Sequence, residues 1–371
     1  MSAPPCTICV TGATSYVAGP IVARLLAAGH TVHGTCRDPS SGPTTSALRA
    51  LPGAASRLRL FAADLLLPGS FDSPVAGCDF VIHTASPFAL GVGPRDAARK
   101  LVEPAVMGVE NVLAAVERTP SVRRVVLTSS IAATYSRRTD HGVDRPIDES
   151  CWNTTASEAF LAYSYSKTLA ERRAWELAGQ QDRWRLVAVN PGLVLGPTVG
   201  SHHAASQSVS LLRCMLRGLF FPAAPRIGVA YVDVRDVAAA HCRAMLEPRA
   251  SGRYLAVADS STLRRMTAAL ASLYPGGSVR RPLLAAPRWV VWLLAPLFGF
   301  GRDVVLASWG AAPRFDTGRA ASDLGLSAWV PLEESLYDMV EDLAENGVVR
   351  HPLKGRKPRG DGGGVGAGGA G

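Results

Sequence analysis

The fold of this chain is decided close to its beginning, by Thr7-Ile8-Cys9-Val10-Thr11-Gly12-Ala13-Thr14-Ser15-Tyr16-Val17-Ala18-Gly19. The first four residues form an apolar run typical of a buried strand, and apolar side chains then recur at helical spacing up to Gly29. A second apolar strand follows at residues 31–36. Strand, glycine turn, helix and strand open a dinucleotide-binding unit, in which the pyrophosphate lies at the helix N-terminus. The sequence therefore predicts a Rossmann-like α/β fold with a doubly wound parallel sheet.

The glycine turn and the residue after the second strand indicate the cofactor. Gly12 is present, but Ser15 and Ala18 stand where further glycines are usual, so the turn alone is weak evidence. Arg37 follows the second strand, where an acidic residue binds the ribose of NAD and a cation accepts the 2′-phosphate of NADP. Because Arg binds phosphate through two parallel hydrogen bonds, we expect NADP(H); the alternative is a surface arginine in a loop.

Polar residues follow several of the remaining predicted strands. These strands are predicted at residues 58–65, 79–88, 124–130 and 186–192. Asp64 ends the first of them and either contacts the adenine or caps the following turn. Ser129 and Ser130 end the third, and ligands of open α/β sheets bind at the carboxyl ends of strands. Without a histidine base these serines are poor nucleophiles, but they are suited to hydrogen-bond a substrate oxygen.

A tyrosine and a lysine stand four residues apart in a predicted helix at residues 161–177. Because an α-helix has about 3.6 residues per turn, Tyr163 and Lys167 share one face of it. An ammonium within roughly 4–6 Å lowers the pKa of a phenol from its usual value of about 10. The pair therefore suits acid catalysis, although the same spacing also arises by chance on solvated helices.

The pattern of predicted strands and helices divides the chain into two lobes and a tail. We assign residues 5–197, completed by 228–258, to the dinucleotide-binding domain. Residues 198–227 and 259–349 lose the strand–helix alternation and form a smaller, mostly C-terminal substrate lobe. Residues 350–371 are basic and then rich in glycine, a composition that cannot bury apolar surface and predicts a disordered tail.

Composition and charge indicate a globular protein and give no sign of nucleic-acid binding. Hydrophobic residues make up 47% of the chain and charged residues 19%, which is typical of a globular protein. The net charge is +9, of which +4 lies in residues 350–371 and the rest is scattered without a long basic run. We therefore expect no nucleic acid as a partner.

The cysteines indicate a reducing compartment. There are seven of them, an odd number, in a large chain with no secretory signal before the first strand, so we expect a cytoplasmic protein. The pair Cys6 and Cys9 lies in or just before a strand, and no second cysteine pair or histidine cluster completes a zinc site. We expect no bound metal.

One apolar stretch, residues 289–301, raises the question of a membrane. It is shorter than the roughly 20 residues that span a bilayer, and it contains Pro296. We therefore expect no stable membrane insertion and favour a buried helix of the substrate lobe. The alternative is an interfacial helix flanked by Arg288 and Arg302.

From about residue 6 to residue 345 the chain resembles the extended short-chain dehydrogenases/reductases of the NAD-dependent epimerase/dehydratase family. Within them it is most similar to the branch of dihydroflavonol and cinnamoyl-CoA reductases. The segments that support this resemblance are Val10–Thr14, His33–Pro39, Ala105–Leu113, Thr128–Ser130, Asp148–Trp152, Ser166–Glu171 and Val232–Val237. The resemblance implies an NADPH-dependent aldehyde or ketone reductase that is a monomer or a homodimer.

The resemblance also implies roles for individual residues. Tyr163 would protonate the reduced carbonyl oxygen, and Lys167 would hold the nicotinamide ribose and lower the pKa of the tyrosine. Ser130 would hydrogen-bond the substrate carbonyl, with Ser129 as the alternative, and Asn111 would support the proton relay. The residues that would line the cofactor are Gly12, Thr14, Ser15, Tyr16, Arg37, Asp64, Leu65, Thr84, Ala85, Ser86, Tyr163, Lys167, Pro191 and Val194.

Departures from the branch leave the substrate open. Flavonoid enzymes have an asparagine five residues after the catalytic serine, whereas this chain has Tyr135, which we assign to a substrate contact. The residues around Tyr163 differ from those of the cinnamoyl-CoA enzymes. The alternatives are a hydroxysteroid dehydrogenase, a nucleotide-sugar epimerase or dehydratase, and a catalytically inactive NADP-binding sensor.

Overall fold

The strands occur in the order expected from the sequence. A computed structural model describes residues 4–87, 94–142, 144–200, 203, 206–298, 301–310 and 312–352, so most of the predicted tail lies outside the described residues. The strands are β1 (Thr7–Thr11), β2 (Thr31–Cys36), β3 (Leu58–Ala62), β4 (Phe80–His83), β5 (Arg124–Thr128), β6 (Arg185–Pro191), β7 (Leu193–Leu195), β8 (Ala223–Ala224), β9 (Gly228–Asp233), β10 (Gly252–Ala256), β11 (Asp259–Thr262) and β12 (Leu284–Ala285).

Helices connect most of these strands. They are α1 (Ala18–Ala27), α2 (Gly42–Arg49), α3 (Ala54–Arg57), α4 (Asp72–Val75), α5 (Pro94–Ala97), α6 (Glu103–Glu117), α7 (Ala162–Ala178), α8 (Gln207–Leu216), α9 (Val234–Leu246), α10 (Leu263–Leu273), α11 (Arg288–Leu294), α12 (Arg302–Ala307), α13 (Gly318–Leu324) and α14 (Leu332–Glu345). A π-helical turn, Ala98–Val102, joins α5 to α6, and a 3₁₀ turn, Ile131–Ala133, follows β5.

In the described part of the chain seven strands form one sheet in the order β10-β6-β5-β4-β1-β2-β3. All of its neighbouring strands are parallel, and their apolar side chains are buried between helices on both faces. The strand order reverses between β1 and β4, which is where doubly wound sheets bind their ligands. The predicted Rossmann-like fold is therefore confirmed.

A second sheet has three strands in the order β11-β9-β7. The chain leaves the large sheet at Gly192, where a Cβ atom would lie 2.7 Å from the carbonyl oxygen of Ala230, so only glycine allows this close approach. Residues 193–195 and 228–233 form strands of this second sheet. The domain bounds stay predictions.

A buried aspartate ties the end of β9 and the start of α9 to helix α14. Asp233 accepts hydrogen bonds from the backbone N–H of Arg235 (2.8 Å) and from the Ser335 hydroxyl (2.6 Å). Arg235 pairs with Asp233 and with Asp338 at 2.8 Å each, which connects the start of α9 to α14. A network of several charges in a partly buried place contributes more than an isolated surface pair.

The apolar stretch at residues 289–301 is not a buried helix, so that expectation is wrong. Helix α11 is only seven residues long and buries none of its side chains fully. Every residue of α11 after Arg288 is apolar, so these side chains cannot all face one core, and the tryptophans and leucines of α11 remain on the surface. No helix in the described residues is long and apolar enough to cross a membrane.

Candidate active site

The carboxyl ends of β1 and β4 are held together at the reversal of strand order. The Thr11 hydroxyl contacts His83 Nδ1 at 2.7 Å and accepts a hydrogen bond from the Ala85 N–H at 3.1 Å, while the Thr84 hydroxyl donates to the Thr11 carbonyl. Gly12 has a φ of 62°, and a Cβ atom there would lie 3.0 Å from Ala85 Cα. Only glycine keeps both this backbone conformation and this close approach.

The turn before α1 leaves polar groups beside this glycine. The hydroxyl of Ser15 accepts a hydrogen bond from the Ala18 N–H at 3.3 Å, and Thr14 is half-buried next to it. Tyr16 is buried and donates to the Gly196 carbonyl at 2.7 Å, so its hydroxyl joins the turn to the segment after β7. The first turn of α1 has no acidic residue, which leaves its N-terminus suited to an anion.

The residues after β2 and β3 lie at the same edge of the sheet. Arg37 directly follows β2 and is exposed. Asp64 accepts a hydrogen bond from the Leu66 N–H at 2.8 Å, so it caps the turn, as one of its two predicted roles requires. Asn111 donates to the Leu65 carbonyl at 2.7 Å, which fixes the loop after β3 to α6. The predicted relay role of Asn111 stays a prediction.

Two adjacent serines at the end of β5 point to different partners. Ser129 is buried, and its hydroxyl donates to Glu171 Oε2 at 2.5 Å. Ser130 has an extended backbone, accepts a hydrogen bond from the Ala132 N–H at 3.1 Å, and lies close enough to the Tyr163 hydroxyl to lower the pKa of that phenol. Successive side chains of extended backbone alternate in direction. The structure therefore brings Ser130, and not Ser129, to the tyrosine.

Helix α7 presents Tyr163 and Lys167 on one face. It begins after Leu161, which has a φ of 54° and whose N–H donates to Asp303 Oδ2 at 2.8 Å. The ammonium nitrogen of Lys167 lies 6.0 Å from the centre of the Tyr163 ring. A cavity of about 20 Å³ next to Lys167 is also lined by His83 and Ser129. That volume is about the size needed for one water molecule.

Burial controls the protonation of this pair. It raises the pKa of Tyr163 to about 12, against which the hydrogen bond with Ser130 has a smaller lowering effect. It also lowers the pKa of Lys167 to about 8, while the nearby Glu171 carboxylate raises it. Burial therefore sets the net direction of the tyrosine pKa, and the predicted lowering of that pKa by Lys167 stays a prediction. The phenol keeps its proton at neutral pH.

Glu171 connects several buried polar side chains beneath the site, a role that was not predicted from the sequence. Oε1 accepts hydrogen bonds from Arg253 Nε (2.7 Å) and Trp175 Nε1 (3.2 Å), and Oε2 accepts from Ser129 and, at 2.8 Å, from Asn190. Glu171 and Arg253 are both buried. The sequence offered one signal for this role: Glu171 is a carboxylate one turn after Lys167, on a helix face that must meet the sheet. Arg253 was not detectable because it is 82 residues away in sequence.

The remaining predicted site residues lie around this centre. Pro191 ends β6 and is buried, Val194 pairs with Val232 in the second sheet, and Ser86 is half-buried in the segment after β4. Tyr135 packs edge-on against Phe315 with ring centres 5.7 Å apart, and burial raises the pKa of its phenol. Its aromatic ring therefore joins the segment after β5 to the substrate lobe, and its contact with a substrate stays a prediction.

The strand order of the large sheet and the crevice at the carboxyl ends of β1 and β4 define a Rossmann-like α/β protein. The chain belongs to the NAD-dependent epimerase/dehydratase family, whose sequence model matches residues 8–257. The resemblance on which the sequence analysis relied is therefore confirmed.

Relatives with known names cover most of the chain. A cinnamoyl-CoA reductase of Medicago truncatula, CAD2, is 35% identical over 341 residues, which are 91% of this chain and 95% of the relative. Tetraketide alpha-pyrone reductase 1 of Arabidopsis thaliana is 36% identical over 270 residues, 72% of this chain and 81% of the relative. The structure of yeast methylglyoxal/isovaleraldehyde reductase Gre2 complexed with NADPH superimposes with a TM-score of 0.76 at 26% identity, covering 92% of this chain and all of that one.

Proposed function

We propose that this chain is an NADPH-dependent reductase that transfers hydride to the carbonyl carbon of an aldehyde or ketone. The observation that carries the proposal is the grouping of Ser130 and Tyr163, with Lys167 one helical turn further along α7 and its ammonium nitrogen 6.0 Å from the centre of the Tyr163 ring. This group stands at the carboxyl end of β5, two strands from the Gly12 turn. Its relatives named above are reductases, and one of them was solved with NADPH, which supports the same chemistry here.

The residues at the crevice fit a dinucleotide. A side chain at Gly12 would fill the space beside Ala85, so glycine keeps the turn open for a pyrophosphate approaching the N-terminus of α1. Arg37 is exposed at the end of β2, where its guanidinium is free to bind a 2′-phosphate. Ser15, Asp64, Thr84 and Ser86 add polar atoms to the same edge.

Bound NADPH supplies the hydride that reduces the carbonyl carbon. Tyr163 supplies the proton: its O–H bond breaks as the O–H bond of the product alcohol forms. Because its pKa is about 12, the phenol is protonated at neutral pH and can still give its proton to a more basic alkoxide. Ser130 donates a hydrogen bond to the same oxygen, and the Lys167 ammonium stabilises the phenolate that remains.

Removing the cation after β2 tests the preference for NADP. We expect Arg37→Ala to weaken NADPH binding by about 10- to 100-fold, the effect of losing one charge-assisted contact of 1.5–3 kcal/mol. NADH binding should change little because NADH lacks the 2′-phosphate. Titration of both cofactors by fluorescence checks this, with Arg59→Ala, an exposed cation on β3, as the control. Equal losses for both cofactors would contradict the assignment.

The pH dependence of reduction tests the role of Lys167. Its folded-state pKa is about 8, so its charge is present below that pH and is lost as the pH rises through it. We expect kcat/KM for the carbonyl substrate at saturating NADPH to fall above about pH 8. The Lys167→Arg variant, which keeps its charge, should show a flat profile there. The same fall in that variant would assign the titration to another group.

A turnover assay tests the proposed function as a whole. NADPH oxidation by the purified chain is followed with aromatic and aliphatic aldehydes, ketones and acyl-CoA thioesters, and NADH is assayed in parallel. We expect turnover with NADPH, and the best substrate of the panel then defines the branch. Saturable NADPH binding without any turnover would favour the inactive sensor, and binding of neither cofactor would overturn the proposal.

The cellular compartment and the oligomeric state are also proposals. All seven cysteines are free, including Cys9 and Cys78, which are buried in the large sheet and its helices. We infer a cytoplasmic protein from these thiols, and a monomer or homodimer from the resemblance to the family.

A further inference from the structure

One side of the substrate lobe exposes large apolar side chains. We call it the apolar face, and it consists of Leu283, Leu284, Trp289, Leu293, Leu297 and Leu306. Trp289 is 70% exposed and Leu297 is 80% exposed, although both belong to residue types that are usually buried. They come from β12, from α11 and the turn after it, and from α12, so the exposure is shared by neighbouring elements. Contiguous apolar surface of this kind marks an interaction site.

The apolar face continues inward as a cavity. A cavity of about 210 Å³ lies between α11 and the segment 219–227, and the side chains that line it include Phe221, Ile227, Val290, Leu294 and Val305. None of these five carries a charge. The surface therefore offers an apolar recess as well as an apolar exterior, and α11 forms the boundary between the two.

Arginines surround the apolar face. Arg264 donates to the Leu283 carbonyl at 3.3 Å, and Arg288 donates to the Leu306 carbonyl at 3.3 Å. The Arg302 guanidinium lies 4.4 Å from the Trp292 ring, and that of Arg280 lies 5.2 Å from the Phe221 ring. All four arginines are exposed, and among the described residues none forms a salt bridge.

Two long segments of this region contain no acidic residue, whereas α12 adds Asp303. Residues 207–232 and 260–302 contain neither Asp nor Glu. Their cationic residues are Arg213, Arg217, Arg226, Arg264, Arg265, Arg280, Arg281, Arg288 and Arg302. The chain as a whole has 30 acidic residues, so their exclusion from both segments sets this region apart.

We propose that the apolar face docks on the surface of an anionic lipid bilayer. Leucine and tryptophan side chains would enter the headgroup region, and the surrounding arginines would pair with lipid phosphates and carboxylates. Tryptophan is favoured at such boundaries because its ring is apolar and its N–H is polar. Since α11 is too short to span, the docking is peripheral.

The distribution of charge favours a lipid surface, rather than a second copy of the chain, as the partner of the apolar face. A two-fold symmetric interface through this face would bring the same arginines of both copies together, with no carboxylate from these segments to neutralise them. An anionic bilayer supplies that charge. The docked lobe also touches the catalytic helix, because Asp303 of α12 accepts the hydrogen bond from Leu161 at the start of α7. A membrane at this face would therefore lie beside the segment that precedes Tyr163.

Vesicle flotation with the full chain tests the proposal. We expect binding to vesicles of phosphatidylcholine with phosphatidylserine, weaker binding when the salt concentration is raised, and little binding to phosphatidylcholine alone. The double variant Trp289→Ser/Leu297→Ser should bind about 100-fold more weakly, since each lost side chain contributes at least tenfold. The control is Leu67→Ser/Leu246→Ser, which removes two exposed leucines from other parts of the surface and should bind like the original chain.

Three results would overturn the proposal. The first is no flotation with anionic vesicles. The second is flotation that survives Trp289→Ser/Leu297→Ser, which would assign lipid binding to the basic residues after 350. The third is a dimer, measured by sedimentation, that this double variant dissociates and that leaves no binding to vesicles. NADPH turnover in solution is measured for the same samples, so that failure to dock is distinguished from failure of the proposed reductase.

Discussion

Tyr163→Phe should lower kcat/KM for carbonyl reduction by about 100- to 10,000-fold, the usual contribution of a positioned general acid. The substitution removes only the hydroxyl that faces Ser130 and leaves the ring beside Lys167 in place. Ser130 stays anchored because its hydroxyl also accepts from the Ala132 N–H. NADPH affinity should therefore change little, and steady-state kinetics together with cofactor titration measure both quantities.

A second tyrosine of the same helix provides a matched control. Tyr165 is half-buried like Tyr163 but stands two residues further along α7, and therefore on a different face. We expect Tyr165→Phe to keep turnover close to that of the original chain. Full activity of Tyr163→Phe, or loss of activity in Tyr165→Phe alone, would show that the wrong phenol has been assigned.

Arg253→Leu should lower the free energy of unfolding by about 3–5 kcal/mol, the usual cost of removing one partner of a buried ion pair. The arginine pairs with Glu171 at 2.7 Å, donates to the carbonyls of Glu149 and Cys151, and lies 4.0 Å from the Trp152 ring. Without it the Glu171 carboxylate stays buried with only neutral hydrogen-bond donors. Urea unfolding followed by circular dichroism measures the loss.

Two further variants show whether loss of the ion pair between Arg253 and Glu171 is the cause of the lower stability. Arg118 pairs with Asp72 where both side chains are about half exposed, so Arg118→Leu should cost at most about 1 kcal/mol. The double variant Glu171→Leu/Arg253→Leu should cost less than the sum of its two single variants, because it leaves no unpaired buried charge. Additive losses, or an Arg253→Leu effect as small as that of Arg118→Leu, would contradict this role for the pair.

Local patterns were sufficient for the fold. The apolar runs and the Gly12 turn are short-range features, and they predicted β1, α1, β2 and the parallel sheet that the structure contains. The helix through Tyr163 and Lys167 was also predicted, since both residues lie in one helical repeat. Their catalytic roles remain predictions that the variants above test.

Properties that depend on distant contacts were not predictable. Burial under parts of the chain that are distant in sequence raises the pKa of Tyr163, and a local argument from Lys167 could not include that effect. The departure of β7 and β9 into a second sheet follows from the contact of Gly192 with Ala230. The sequence did not predict that α11 is exposed, because its composition resembles that of a buried helix. Whether such a helix is buried or exposed depends on how the neighbouring elements pack against it.

Transfer of deuterium from labelled NADPH tests most directly whether the chain is a reductase. Each of the two forms of NADPH deuterated at C4 of the nicotinamide is incubated with the chain and the best carbonyl compound of the substrate panel, and the alcohol is analysed by mass spectrometry. We expect one of the two forms to place deuterium on the former carbonyl carbon, and Tyr163→Phe to reduce the rate of that transfer. Alcohol without label from either form, or no alcohol with any carbonyl compound, would contradict hydride transfer by this protein.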